Sequence, residues 1–161
     1  PNNAVRVVRA LELLEEGASY ARQKEGFATV EPWAPAIWVG LAVDPERLAA
    51  RIDARVDAMF GEGLVGEVQG LLDRGFEQGI TAPAAIGYKE VVAALQGGCT
   101  LDEAREAIKA ATRRYAKRQR TWFRADKRIS WFDADDVDDP QGFASLAERI
   151  VGHVCAGAPC S

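Results

Sequence analysis

Apolar residues recur every three or four positions through most of this chain, the spacing of helices that bury one side. Val7, Leu11 and Leu14 mark the buried side of a first helix that starts from a cap at Asn2 or Asn3 and ends near Glu16, with Glu12, Glu15 and Glu16 towards water and Gly17 as the stop. From Ala18 to Pro35 the period is lost and Gly26, Pro32 and Pro35 punctuate, which predicts a linker or surface excursion. Ala36 to Val43 is instead a continuous apolar run, the pattern of a strand covered on both faces. Asp44 followed by Pro45 then supplies a cap and a first-turn proline for a helix that buries Leu48, Ile52, Val56 and Met59.

Beyond that helix, Gly61-Glu62-Gly63-Leu64-Val65-Gly66 matches the bare dinucleotide-binding pattern. A helix precedes it where the motif needs a strand, so it predicts a helix break. A short helix through Val68, Leu71 and Leu72 ends at Gly75, and Pro83 opens another across Ile86, Val91 and Leu95, closed by Gly97 and Gly98. Thr100 with Glu103 forms a capping box for the longest helix. Ile129 to Phe132 reads as a short strand and Asp133 to Asp139 as an acidic turn. A last helix carries Phe143, Leu146, Ile150 and Val154 on its core face, before a loose tail from Ala156 to Ser161. Two strands cannot satisfy one another when one reads as buried on both faces, so the sheet requires further strands from outside these residues.

The longest helix is chemically the most distinctive. Arg105, Lys109, Arg113, Lys117, Arg120 and Arg124 follow at spacings of four or three and share one side, while Ala104, Ile108, Ala111, Tyr115 and Trp122 form a packing stripe on another. Between Lys109 and Arg128 the one acidic residue is Asp126. The chain as a whole is acidic, with net charge -4, so the cationic stripe is a local feature. That combination excludes indiscriminate polyanion binding and predicts a confined patch for a structured one. Arginine predominates, and its planar fork grips phosphate at two points and stacks on bases.

At 161 residues with 48% hydrophobic content, the chain has the composition of a globular domain. No apolar run approaches the ~20 residues of a membrane-spanning helix, and a cytoplasmic location without membrane association is expected. Three cysteines, with Cys99 far from Cys155 and Cys160, do not make a secreted disulfide framework. His153, Cys155 and Cys160 lack a fourth ligand and sit in the tail, and the acidic turn lacks calcium-loop spacing, so no metal site is assigned. No phosphate-binding loop of the G-x-x-x-x-G-K-[ST] type is present and no nucleophile and base pair stands out, so no catalytic residue is assigned either. Arg47, Arg51 and Arg55 form another four-residue stripe that a diphosphate would compensate, with surface pairing to Asp53 and Asp57 as the alternative. Gly87-Tyr88-Lys89 offers close backbone approach, a stacking face and a charge.

Four segments taken in order resemble the C-terminal half of the tRNA dimethylallyltransferase (tRNA isopentenyltransferase) family. They are Pro1-Asn2-Asn3 through Arg9-Ala10-Leu11-Glu12; Arg51-Ile52 with Arg55-Val56-Asp57 and Gly63-Leu64; Gly87-Tyr88-Lys89; and Lys117-Arg118-Gln119 with Thr121-Trp122-Phe123-Arg124. The resemblance implies an α/β protein: the mostly helical C-terminal portion of a P-loop-like, nucleotide-binding three-layer fold, whose remaining strands lie in an N-terminal half outside this chain. It divides the chain into the end of a helical insertion and linker (1–34), the core part with the tRNA-binding helix (35–155) and a tail (156–161).

The implied reaction moves a dimethylallyl group from dimethylallyl diphosphate to N6 of adenine 37 beside the tRNA anticodon, with Mg2+ and the P-loop holding the diphosphate. The partners implied are the tRNA anticodon stem-loop and dimethylallyl diphosphate, acting on a monomer when the protein is full length. On this resemblance the tRNA contacts are Arg6, Arg9, Gly87, Tyr88, Lys89, Lys117, Arg118, Gln119, Thr121, Trp122 and Arg124, and the diphosphate contacts are Arg51 and Arg55. Val5 stands where the family commonly has a polar residue. The P-loop and the catalytic aspartate belong to the half that is not here, so the chain by itself is expected to be inactive. The competing reading is a stand-alone nucleic-acid-binding helical protein. A zipper-type basic helix would continue into apolar heptads, whereas this one runs into a strand and an acidic turn.

Overall fold

A computed structural model describes residues 4–17, 34, 36–79 and 81–157. The chain forms two compact units, Pro1–Trp38 and Val39–Ser161. The first holds helix α1 (Ala4–Glu15). Among its described side chains Leu13 is buried, at 1% exposure, while Val7, Leu11 and Leu14 are exposed, which corrects the expected buried side. The three exposed residues do share a helix face, but period identifies a shared face and not which face is covered.

The second unit begins within β1 (Trp38–Ala42), at Val39, and continues through α2 (Pro45–Gly61), α3 (Leu64–Leu72), two 3-10 turns (Phe76–Gln78 and Ala82–Ala84), α4 (Tyr88–Leu95), α5 (Leu101–Arg124), β2 (Ile129–Asp133) and α6 (Pro140–Gly157). Local chemistry accounts for the boundaries. The Asp44 carboxylate accepts from the backbone N–H of Glu46 at 2.9 Å and of Arg47 at 3.1 Å, and Pro45 presets the first turn of α2. The expected break falls between Gly61 and Leu64. The capping box at α5 forms as read: Thr100 Oγ1 accepts from Glu103 N at 3.1 Å, and Glu103 Oε2 accepts from Thr100 N at 2.8 Å.

One boundary differs. The helix expected from Pro83 starts only at Tyr88, because Pro83 lies in a 3-10 turn and Gly87 adopts φ +101°, outside the helical region. Glu90 then secures the new start by accepting from Gly87 N at 2.8 Å.

The core lies where α2, α3, α4 and α5 meet. Val56, Leu64, Val68, Val91 and Ile108 are buried there, with Met59, Phe60, Leu72, Tyr88 and Leu95 packed around them. Helix α5 rests on α2 and α4. Only its first half does so: Ala104, Ile108 and Lys109 are buried, whereas Tyr115 is 48% and Trp122 58% exposed. The expected packing stripe therefore ends near Thr112, where α5 runs past its neighbours.

The two strands lie parallel in one sheet, and Ala134 N extends the pairing by donating to Ala42 O at 2.8 Å. Gly40 is required between them, since a Cβ there would fall 2.7 Å from side-chain carbons of Ile129 and Trp131. Contrary to the reading of β1 as covered on both faces, Leu41 is 54% exposed. Among the described residues each strand pairs with the other alone, leaving one open edge apiece. On α6, Leu146 is buried but Phe143 and Val154 are exposed, so the expected core face is only partly used. His153 packs edge-on against Phe132, with ring centroids 5.4 Å apart.

Two substitutions test this account. Ile108→Ala removes a methyl-rich side chain from the four-helix contact and should lower unfolding stability by about 2–5 kcal/mol in urea titration. Gly87→Ala places a Cβ at a positive φ and should cost about 1–3 kcal/mol in the same assay; no loss would mean that the start of α4 can relax.

Candidate nucleic-acid interface and adjoining cavity

The cationic stripe of α5 divides into two parts with different partners. Helix α2 runs antiparallel to α5, and its Asp53 and Asp57, four residues apart, share the face turned towards α5. Asp53 forms a two-oxygen ion pair with Arg113 Nη1. Asp57 lies 2.8 Å from Lys109 Nζ and 3.9 Å from Arg105 Nε. Lys109 also donates to Glu106 at 2.9 Å. Hydrogen bonds to Asp57 and then Glu106 raise the Lys109 pKa, outweighing the opposite effect of its burial. Arg105 is placed over the Phe60 ring at 4.8 Å and 3.4 Å from Asp102. The first three cations of the stripe are thus neutralised internally, by Asp53 and Asp57, which lie far away in sequence, and by Asp102 and Glu106 on α5 itself.

The last three turns of α5 differ. Arg114, Lys117, Arg118, Gln119, Thr121 and Arg124 are exposed and Arg120 is half-buried. Among the described residues no carboxylate pairs with Arg114, Lys117, Arg118, Arg120 or Arg124. Arg114, Lys117, Arg118, Thr121 and Trp122 border one recess. Thr121 Oγ1 donates to Lys117 O at 3.0 Å, and Trp122 stands edge-on to Phe123 at 4.8 Å. Beyond the helix, the Arg128 guanidinium bonds the Asp126 carboxylate and holds its pKa down to about 2, so the one acid of this region is already occupied. Arg114 was not singled out from the sequence, because it lies beside the regular stripe and gains its significance only from exposure at the recess.

A cavity of about 710 Å³ adjoins this surface. Its walls are Leu41, Val43, Leu48, Ile52, Val56, Met59, Ile86 and Val137, with Arg51, Arg55, Gly87, Thr112 and Tyr115 also contributing. The arrangement is amphipathic: an apolar interior with two guanidiniums, suited to an apolar group joined to an anion. Tyr115 belongs to both regions, lining the cavity while Arg118 lies 5.8 Å over its ring. Its place in the periodic stripe had predicted simple burial.

The α2 arginines are not paired with Asp53 and Asp57 as the alternative reading held. Arg47 lies 3.6 Å from Asp136 and 4.0 Å from Asp138, Arg51 is 3.5 Å from Asp138, and Arg55 is 3.6 Å from Glu62. The acidic turn bends over the start of α2, where Asp135 Oδ1 accepts from Asp44 N at 2.7 Å. These pairs are solvent-exposed, and such pairs contribute little stability, so an anionic ligand can displace them at small cost.

The remaining candidates are on other elements. Arg9 pairs with Glu12 at 3.0 Å on α1, and the Arg6 side chain lies outside the described residues. Lys89 is exposed, 3.5 Å from Glu90. Tyr88 is turned towards the core: its hydroxyl donates to Glu67 at 2.6 Å and its ring lies 5.5 Å from Phe76. The bond to Glu67 raises the Tyr88 pKa, with burial adding to it. The structure therefore joins Arg51, Arg55 and Gly87 in one cavity and Lys117, Arg118, Thr121 and Trp122 in one recess, with Tyr115 between them. Among the described residues no three His, Cys, Asp or Glu side chains converge on a metal position, and no helix is long and apolar enough to cross a membrane.

Similarity to known proteins bears on this surface. The chain is 47% identical over 149 residues to a tRNA dimethylallyltransferase of Geobacter sulfurreducens, a match that covers 91% of this chain and 46% of that protein. It is 45% identical over 152 residues to one of Kineococcus radiotolerans, covering 94% and 46% respectively. Among solved structures, a tRNA isopentenylpyrophosphate transferase of Staphylococcus epidermidis superposes with a TM-score of 0.69 at 34% identity, over 98% of this chain and 50% of that one. The Bacillus halodurans enzyme gives 0.68 at 37% identity, over 98% and 47%. The chain thus spans about half the length of the curated relatives it matches. The model of the IPP transferase family matches residues 1–126, and with these relatives it places the chain in that family, the one its four segments resemble.

Proposed function

We propose that this chain supplies the RNA-holding and isoprenoid-facing part of a tRNA dimethylallyltransferase. The observation that carries the reading is the shared position of Tyr115, which puts the unpaired cations of α5 beside an apolar cavity with two arginines. Dimethylallyl diphosphate has the matching chemistry: its alkyl group suits walls such as Leu48, Ile52 and Met59, and its diphosphate suits the forks of Arg51 and Arg55 after exchange with Asp138 and Glu62. The distal part of α5 holds an anticodon stem-loop through Arg114, Lys117, Arg118 and Arg124, with Gln119, Thr121 and Trp122 as polar and stacking contacts. Arg6, Arg9, Gly87, Tyr88 and Lys89 complete the proposed tRNA contacts, with Tyr88 fixing the turn from which Lys89 projects. An adenine turned out of its stack above Tyr115 would meet the allylic carbon in the cavity.

The residues of this chain bind and orient; the base that takes the proton from the adenine amine is not assigned among them. That base, the phosphate loop, the Mg2+ ligands and the strands that complete the sheet are assigned to groups outside it, in a P-loop-like α/β core. Magnesium, when bound there, offsets the diphosphate charge. A cytoplasmic location follows from the tRNA substrate. The basic helix runs into β2 and an acidic turn, which disfavours a stand-alone zipper-like DNA-binding protein.

Arg118→Ala and Arg124→Ala should each weaken binding to an anticodon stem-loop at low salt and reduce the slope of log affinity against log salt by about 0.7, leaving the circular dichroism unchanged. Equal affinity in both variants would defeat this assignment. Mixed with tRNA and dimethylallyl diphosphate, the chain alone should form no modified adenosine, and measurable turnover would refute the division of labour.

A further inference from the structure

The cations of α5 extend from Arg105 to Arg124, about 28 Å at the ~1.5 Å rise of a helix. Left uncompensated, that rod would lie along the backbone of any duplex, whose charges recur every ~1.7 Å of axis. The antiparallel α2 prevents this: Asp53 occupies Arg113 and Asp57 occupies Lys109, while Arg105 is held by Asp102 at 3.4 Å with Asp57 at 3.9 Å. What remains, from Arg114 to Arg124, measures about 15 Å, the scale of a loop and its closing pairs.

We propose that Asp53 and Asp57 are positioning residues that set the boundary of the RNA footprint, acting as a built-in substitute for phosphate along the first half of α5. The inference rests on the RNA-binding reading above and adds a specificity device to it. Neither acid is enclosed: their side chains keep 36% and 51% of their exposure, so a phosphate nearing Arg113 or Arg105 meets a carboxylate already in place and is repelled. Glu106 and Asp102, on α5 itself, extend the acidic border. A clasp whose sole purpose was to fasten α2 to α5 would not need charge, because Val56 and Ile108 already join the two helices through the core. The division also places the end of the footprint next to Tyr115, which lines the cavity.

The experiment compares the full 161-residue chain with the variants Asp53→Asn/Asp57→Asn and Asp53→Glu/Asp57→Glu, against an anticodon stem-loop and a duplex DNA of equal charge over a salt series. The asparagine pair should raise the salt slope for duplex by roughly 1, through release of Arg113, and should increase duplex affinity about tenfold while stem-loop affinity changes less than threefold. The glutamate pair should restore the original preference. An unchanged duplex slope in a folded asparagine variant overturns the proposal. Should that variant not fold, Arg105→Gln decides: it should leave the stem-loop slope as it was, whereas Arg118→Gln lowers it. Equal losses in both would show that the first half of α5 touches RNA and would overturn the boundary. A parent chain that binds neither nucleic acid would overturn the RNA reading itself, and the boundary with it.

Discussion

The antiparallel contact between α2 and α5 is the constraint from which the rest of the molecule follows. Val56 and Ile108 bring the two helices into the core, and Asp53 and Asp57 engage Arg113 and Lys109 of the cations that line α5. Burial supplies the driving force, because apolar area removed from water is the dominant favourable quantity in folding. The ion pairs add direction more than stability, since partly exposed pairs return little net free energy. They fix which side of α5 faces α2 and, by the same contact, which side remains for solvent.

That one contact separates two chemical regions on a single helix. Where α5 has neighbours, its positive charge is cancelled; where it runs past them, the charge stays available. The cavity between α2, the 86–87 turn and the strand ends lies at the transition, with Tyr115 belonging to both regions. The proposed transfer of an alkyl group from a diphosphate to a base in folded RNA, with diphosphate leaving, needs such adjacency, because holding both reactants in contact geometry removes much of the entropic barrier. The second set of pairs, from Arg51 to Asp138 and from Arg55 to Glu62, holds the cavity arginines without burying them.

Much of the fold was legible in the residues. The Asp44-Pro45 start, the Thr100 to Glu103 capping box, the break after Gly61 and the strand at Ile129 each rest on local chemistry, and each forms where the local pattern places it within a few residues. The misplaced features share one cause. Val7, Leu11 and Leu14 do share a face, and Leu41 does sit in an apolar strand, yet all four are exposed. Whether an apolar face is covered depends on what packs against it, and periodicity carries no information about that. The helix at Pro83 failed for a different reason: Gly87 takes a positive φ, which glycine permits but sequence does not announce.

The candidate site shows the same division. Sequence alone determined that α5 is a helix, that its cations lie along one side, and that Lys117 to Arg124 resembles a tRNA-binding segment, since spacing, local charge and motif are properties of neighbouring residues. Only the tertiary structure decided which of those cations are free, because the acids that engage Arg113 and, with Glu106, Lys109 come from a helix about fifty residues earlier in the chain. It likewise decided that Arg51 and Arg55 pair with Asp138 and Glu62 in place of the nearer Asp53 and Asp57. Coulombic partners are chosen by distance through space, and residues adjacent on a helix point to different faces of it.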